Sequence, residues 1–288
     1  MELNSETRIP FFKMTGSGND FIVIDNRSLM LNGDDCRGFV QRACRRKLSV
    51  GADGMILIEN DPEVDFKWRF FNADGSEAEM CGNGGRCAAR YAYLKGIVQK
   101  RKFTFRTLAG LIEAEIVGER VKIRMTRPHG LQMDLDLLAE NRTFHADFIN
   151  TGVPHLVVFN KDPDTLENED VFRWGRALRY HSHFQPAGSN VNFVCSVDDH
   201  RIIIRTYERG VEVETLACGT GSIASALIAA VRKLAHSPVE LQTRSGEILT
   251  VYFDHQLQGD GEEFSDVYLE GNARVAYEAE LWDETVTE

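Results

Sequence analysis

The chain has 288 residues, 43% of them apolar, which is enough for two cores of ordinary size. Its formal charge of −11 argues against a phosphate-backbone partner, since nucleic-acid binding normally needs a basic stripe that displaces counterions. Neither the start, MELNSETRIPFF, nor any later stretch shows a basic segment ahead of an apolar one or a run of about 18 apolar residues, so a cytoplasmic protein without a membrane partner is expected.

Along the chain, Gly18, Asn19 and Asp20 lead into the apolar run Phe21 to Ile24, as a strand entered through a turn would. The basic group Arg42, Arg45, Arg46 and Lys47 is short and reads as a solvated helix face. FFNADGSE puts Asn72 at the end of another apolar run. Cys81 then opens a glycine-rich turn, Cys81-Gly82-Asn83-Gly84-Gly85, ahead of a helix carrying Ala88, Ala89, Tyr91, Ala92 and Leu94. FTFRTLAGLIEAEI follows as a hairpin with Gly110 at its turn. The same order then returns. Gly152, Val153, Pro154 and His155 lead into Leu156 to Val158, GSNVNF carries Asn190, and the strand-like Arg201 to Tyr207 ends at Glu208 and Arg209. Cys218 opens a second turn, Cys218-Gly219-Thr220-Gly221-Ser222, before a helix apolar on most sides, and VELQTRSGEILTVYF forms a hairpin around Gly246.

The two cysteines are 137 positions apart; Gly110 follows Cys81 by 29 residues and Gly246 follows Cys218 by 28, while Gly18 and Gly152 precede them by 63 and 66. Three landmarks in one order at nearly constant spacing point to an internal duplication. Two halves related by a pseudo-two-fold axis would bring the cysteines to opposite sides of a shared cleft, the geometry a two-base racemase or epimerase requires.

Six cysteines, at 36, 44, 81, 87, 195 and 218, are too sparse for a secreted disulfide framework and lack zinc-ligand spacing, so reduced thiols and no metal are expected. Cys36, Cys44, Cys87 and Cys195 read as small apolar fillers. Cys81 and Cys218 differ because each stands where a helix start leaves backbone amides open to an anion and favours a thiolate. Neither turn has a phosphate-loop or dinucleotide pattern. A single-nucleophile cysteine hydrolase leaves the second turn unexplained, and no lysine has a recognisable Schiff-base setting. Asn19, Asn72 and Asn190 at strand ends, with Glu208, Arg209 and His155, suit a small zwitterion, although each also fits a local role as turn asparagine, surface ion pair or strand-end histidine.

Motifs through nearly the whole chain carry a family resemblance: KMTGSGNDFIVID, VGADGMILIE, FFNADGSEAEMCGNGGRCAARY, NTGVPH, SNVNFV, ERGVEVETLACGTG and GNARVAYEAEL. The chain resembles the diaminopimelate epimerases, enzymes of lysine and peptidoglycan precursor synthesis that interconvert LL- and meso-2,6-diaminopimelate without a cofactor. The resemblance implies an α+β fold of two pseudo-symmetric domains, each a curved, mainly antiparallel sheet around a central helix. It implies residues 1–127 plus 271–288 as the domain with Cys81, residues 128–270 as the domain with Cys218, and a homodimer. Cys81 and Cys218 are implied as the acid/base pair, tuned by Glu208 and His155. Gly82, Asn83, Gly219 and Thr220 would hold the reacting carboxylate, with Asn19, Asn72, Asn190 and Arg209 at the distal end and Glu208 on an ammonium. Val153 replaces an asparagine and Gly54 a glutamine found in other members. A racemase of another amino acid, such as glutamate or a proline derivative, and a non-catalytic binding protein of this fold are the alternatives.

Overall fold

A computed structural model describes residues 8–31, 35–258, 261–282 and 284. The chain divides into two units, Met1–Ile123 with Gly271–Glu288, and Arg124–Glu270. No helix among the described residues is long and apolar enough to cross a membrane.

Unit 1 runs β1 (Ile9–Gly16), β2 (Asn19–Asp25), α1 (Asp35–Ala43), β3 (Gly54–Glu59), β4 (Phe66–Asn72), β5 (Glu77–Ala78), α2 (Gly82–Leu94), β6 (Lys102–Thr107), β7 (Gly110–Val117) and β8 (Arg120–Arg124). Unit 2 runs β9 (His129–Ala139), β10 (Arg142–Asn150), β11 (Pro154–Phe159), α3 (Pro163–Glu167), α4 (Val171–Arg179), β12 (Asn190–Asp198), β13 (Arg201–Tyr207), β14 (Glu214–Thr215), α5 (Gly219–Val231), β15 (Val239–Gln242), β16 (Ile248–Gln258) and β17 (Gly261–Asn272). The last strand, β18 (Arg274–Leu281), belongs to unit 1 and pairs antiparallel with β1.

The expected duplication is legible in the pairing rules of each unit taken alone. In unit 1 the sheet runs β18, β1, β2, β3, β4, β6, β7, β8, with parallel contacts only at β2–β3 and β4–β6, and β5 on β4. In unit 2 it runs β9, β10, β11, β12, β13, β15, β16, β17, with parallel contacts only at β11–β12 and β13–β15, and β14 on β13. The strands facing each central helix also correspond: α2 packs on β1, β2, β3 and β7, and α5 on β10, β11, β12 and β16, together with β13 and β15. Gly18 and Gly152 occupy equivalent turns, ahead of β2 and β11, at φ +95° and +108°, where a side chain would be strained.

Both faces of each sheet are covered, so the inner strands are apolar on both sides rather than alternating. In unit 1, Ile22, Ile24, Met55 and Leu57 pack with Phe39, Val40 and Ala43 of α1, while Ile56 lies beside Gly84 of α2. In unit 2 the outer layer is α3 and α4, whose Leu166, Val171 and Leu178 join Leu156, Val191 and Phe193. Helix α5 is buried from Gly221 to Ala230, as its all-round apolar sequence demands. Its two internal serines return their hydroxyls to carbonyls four residues back, Ser222 to Cys218 and Ser225 to Gly221, which removes most of the cost of burying them.

Candidate active site

Cys81 is the N-cap of α2, in extended backbone (φ −143°, ψ 118°), and its sulfur accepts the Gly84 amide at 3.4 Å. The thiol is half-buried. As first-turn residues, Gly82 and Asn83 have no intrahelical acceptor for their amides. Around them runs a head-to-tail chain anchored by charge at both ends. Arg86, fully buried, donates from Nη2 to Asn83 Oδ1 (2.7 Å); Asn83 Nδ2 donates to Asn19 Oδ1 (2.8 Å); Asn19 Nδ2 donates to Asp53 Oδ2 (2.9 Å). Asp53 and Asp20 share Arg46, and Lys13 Nζ lies 2.8 Å from Asp20. Burial alone raises the Asp20 pKa, but hydrogen bonds and charge from Arg46 and Lys13 outweigh it and hold the carboxyl at about 2. Arg46 lies in the turn after α1, which ends at Ala43, so it is a structural clamp and not part of a solvated helix face. Asn72 stands apart from this chain, exposed at the end of β4, with its Nδ2 on Ser76 Oγ at 3.0 Å.

Cys218 caps α5 in the same backbone conformation (φ −129°, ψ 112°) but receives no side-chain cap bond and is only 7% exposed. A helix terminus alone favours a thiolate, and here burial wins instead. Burial, then the negative charge of Glu208, pushes the thiol up to about 12, against the Thr220 hydroxyl and the Gly221 and Thr220 amides. Burial also raises the Glu208 carboxyl. His155 is fully buried and does not bond Cys218 directly: its Nε2 lies 2.9 Å from Thr220 Oγ1, which is 3.6 Å from the sulfur. Burial, then Arg209, lowers the imidazole pKa to about 3 and keeps it neutral.

Asn190 is 3% exposed and serves the main chain, donating to Pro154 O (2.9 Å) and accepting from Arg209 N (2.8 Å). It thereby seats the start of the loop after β13. Glu212, at φ +61°, seats the rest: its carboxylate accepts from Gly210 N (3.0 Å), Arg179 Nε (3.1 Å) and Tyr207 Oη (3.3 Å). The Arg209 guanidinium donates to Ala187 O at 3.2 Å.

Of the expected residues, unit 1 joins Asn19 and Asn83 in one network next to Cys81, and unit 2 joins His155, Thr220, Cys218 and Glu208. Reading the sequence missed Asp53, Arg86, Asn192 and Glu212. For Asn192 a signal existed: asparagines at 190 and 192 share one face of an apolar strand. Cys36, Cys44, Cys87 and Cys195 are buried, as fillers would be. At Gly54 a Cβ would stand 2.5 Å from Phe71 O and 2.7 Å from the Phe70 ring, so this backbone has no room for a longer residue there. Beyond the C-terminal end of α5, Asp199, His200 and His236 form an exposed cluster, with His200 Nδ1 already on the carbonyls of His236 and Pro238.

Solved structures share this fold. A PhzF-family phenazine biosynthesis protein from Bacillus anthracis matches with TM-score 0.72 at 18% identity, covering 96% of this chain and 99% of that one. A hydroxyproline epimerase from Agrobacterium vitis matches with TM-score 0.68 at 14% identity, covering 97% and 94%. The architecture is thus that of the PhzF and proline-epimerase type, two α+β units each with its own central helix. Sequence similarity narrows the class. The diaminopimelate epimerase family matches residues 11–130 and 148–274. The diaminopimelate epimerase of Aquifex aeolicus is 47% identical over 287 residues, 96% of this chain and 99% of the relative, and that of Hydrogenobaculum sp. is 47% identical over 279 residues, 93% and 97%. The chain belongs to the diaminopimelate epimerase family.

Proposed function

We propose that this enzyme interconverts LL- and meso-2,6-diaminopimelate by removing and replacing one α-proton without a cofactor, with Cys81 and Cys218 as the acid/base pair. The observation that supports it most is the pair of 13-residue helices, one per unit, each N-capped by a cysteine in the same extended conformation. Inversion at carbon needs one group to take a proton and a second to deliver one to the other face, so this reading requires both turns to engage one substrate molecule.

One thiolate takes the α-proton and becomes a thiol; the opposite thiol gives its proton to carbon and becomes a thiolate. Charge and proton count are conserved. Each sulfur serves in both states, because the reverse reaction starts from the opposite assignment. A helix terminus contributes only about 0.3–2 kcal/mol. Proximity contributes about 7–11 kcal/mol, and each preorganised donor to the developing carboxylate charge about 3–4 kcal/mol, and these terms stand in for an electron-sink cofactor. The donors are the first-turn amides and the Gly82, Asn83, Gly219 and Thr220 groups. Asn19, Asn72, Asn190 and Arg209 serve the distal end, Glu208 an ammonium, and Glu208 and His155 the ionisation of the thiols. A cytoplasmic homodimer belongs to the same reading.

The test is incubation of reduced protein with LL-diaminopimelate in D₂O. The expected result is the meso isomer with deuterium at one α-carbon, reduced about 10²–10⁴-fold in Cys81→Ala and in Cys218→Ala. Full turnover in either variant would overturn the two-thiol mechanism. Val153 is apolar where the family resemblance implies an asparagine in many members, which favours testing shorter amino acids beside diaminopimelate.

A further inference from the structure

Asn192 lies in the middle of β12, fully buried and opposite Thr206 of β13. Its amide is satisfied on every side. Nδ2 donates to Leu156 O (2.9 Å) and stands 3.1 Å from His155 Nδ1, while Oδ1 accepts from Thr206 Oγ1 (2.9 Å). A carbonyl can only accept, so the Leu156 contact fixes which end of the amide is nitrogen, and the atom facing His155 is a donor. His155 Nδ1 must then accept, which leaves the single proton of the neutral ring on Nε2. Nε2 then donates to Thr220 Oγ1, which leaves the hydroxyl's own hydrogen free for Cys218 Sγ, 3.6 Å away. Helix α5 closes on this arrangement: a Cβ on Gly221 would stand 2.3 Å from Asn192 Oδ1 and 3.3 Å from the His155 ring.

We propose that Asn192 is a positioning residue: by selecting the His155 tautomer it makes the Thr220 hydroxyl a hydrogen-bond donor to Cys218, stabilising the thiolate. No proton crosses this relay. When Cys218 delivers its proton to carbon, the sulfur keeps the electron pair of the broken S–H bond and Thr220 donates to it. What the thiolate does rests on the epimerase reading; the tautomer and the thiol ionisation do not.

The experiment uses full-length protein with ¹⁵N-labelled histidines, the His155 signals being identified by their loss in His155→Gln. Long-range ¹H–¹⁵N spectra at pH 7 are expected to show the Nε2–H tautomer in the native chain and Nδ1–H in Asn192→Asp, whose carboxylate can only accept. In a Cys81→Ala background, the pH profile of Cys218 alkylation by iodoacetamide is expected to move upward in Thr220→Val and stay in place in Thr220→Ser. Glu208, the charged group acting on Cys218, is unchanged throughout. Epimerisation in Asn192→Asp is expected to lose about 10–100-fold in kcat with KM within about twofold, as for other lost orienting partners. A native Nδ1–H or doubly protonated ring overturns the proposal, and so does an unmoved alkylation profile in Thr220→Val. Should Asn192→Asp not fold, the native spectrum and the two Thr220 variants still decide. Absence of diaminopimelate turnover beside the expected tautomer and profile would remove the substrate reading alone.

Discussion

At the scale of single residues, the two half-sites solve one problem differently. Cys81 is capped by a backbone amide and half-exposed, whereas Cys218 is buried, uncapped and tied to a hydroxyl relay. The glycine-rich turns announced both cysteines in the sequence, but the ionisation of Cys218 was not legible there, because burial and the Glu208 charge come from residues brought in by β13 and the fold around α5. Asp53 was hidden for a similar reason: its partners, Asn19 and Arg46, are 34 and 7 positions away. Asp53→Ala frees one N–H of Asn19 and its orientation toward Asn83. A hydrogen bond to a charged group is worth about 1.5–3 kcal/mol, so KM for diaminopimelate is expected to rise about tenfold or more, with kcat less affected, by steady-state kinetics. Asp20 adds a pH dependence. Its carboxyl is held at about 2 against an ordinary 3.8, so its contribution to stability is whole above about pH 4 and is lost as pH falls toward 2. Urea midpoints at pH 5 and pH 3 are expected to differ more in the native chain than in Asp20→Asn.

At the scale of elements, the glycines of the second turn have a use beyond opening amides to a ligand. Gly221 lets the first turn of α5 sit against Asn192, a contact invisible from the sequence because it joins a helix start to the middle of a strand 29 positions earlier. Gly221→Ala would force Asn192 or the helix to move. The expected loss is about 1–3 kcal/mol, seen as a lower Tm, together with reduced turnover beyond what stability explains. A native Tm with full activity would show that the turn has slack. The strands themselves were readable, β13 to the residue, because apolar runs bounded by glycine, asparagine and charged turns leave little freedom.

At the scale of the whole molecule, three landmarks sufficed to reveal a repeat whose pairing pattern recurs strand for strand. Strands β18 and β9, at corresponding sheet edges, carry none of these landmarks; for β18 the signal in the sequence was the family resemblance of GNARVAYEAEL, and for β9 there was none. Removing residues after Asn272 deletes β18 and leaves β1 paired only with β2. Hydrogen exchange of the β1 amides is expected to accelerate by orders of magnitude while α5 keeps its protection; unchanged β1 exchange would show that unit 1 closes without its last strand.

That last strand also sets an order of events during synthesis. Chains usually fold from the N-terminal end as they leave the ribosome. Here the first unit is split between residues up to Ile123 and residues from Gly271 onward, whereas the second is continuous from Arg124 to Glu270. The second unit is therefore the earlier to be complete, and the nascent first unit waits with the free edge of β1 exposed until β18 has been made. An exposed strand edge is a template for mispairing. A pause in translation just before residue 274 would lengthen that exposure, and a chaperone that shields β1 would act in that interval.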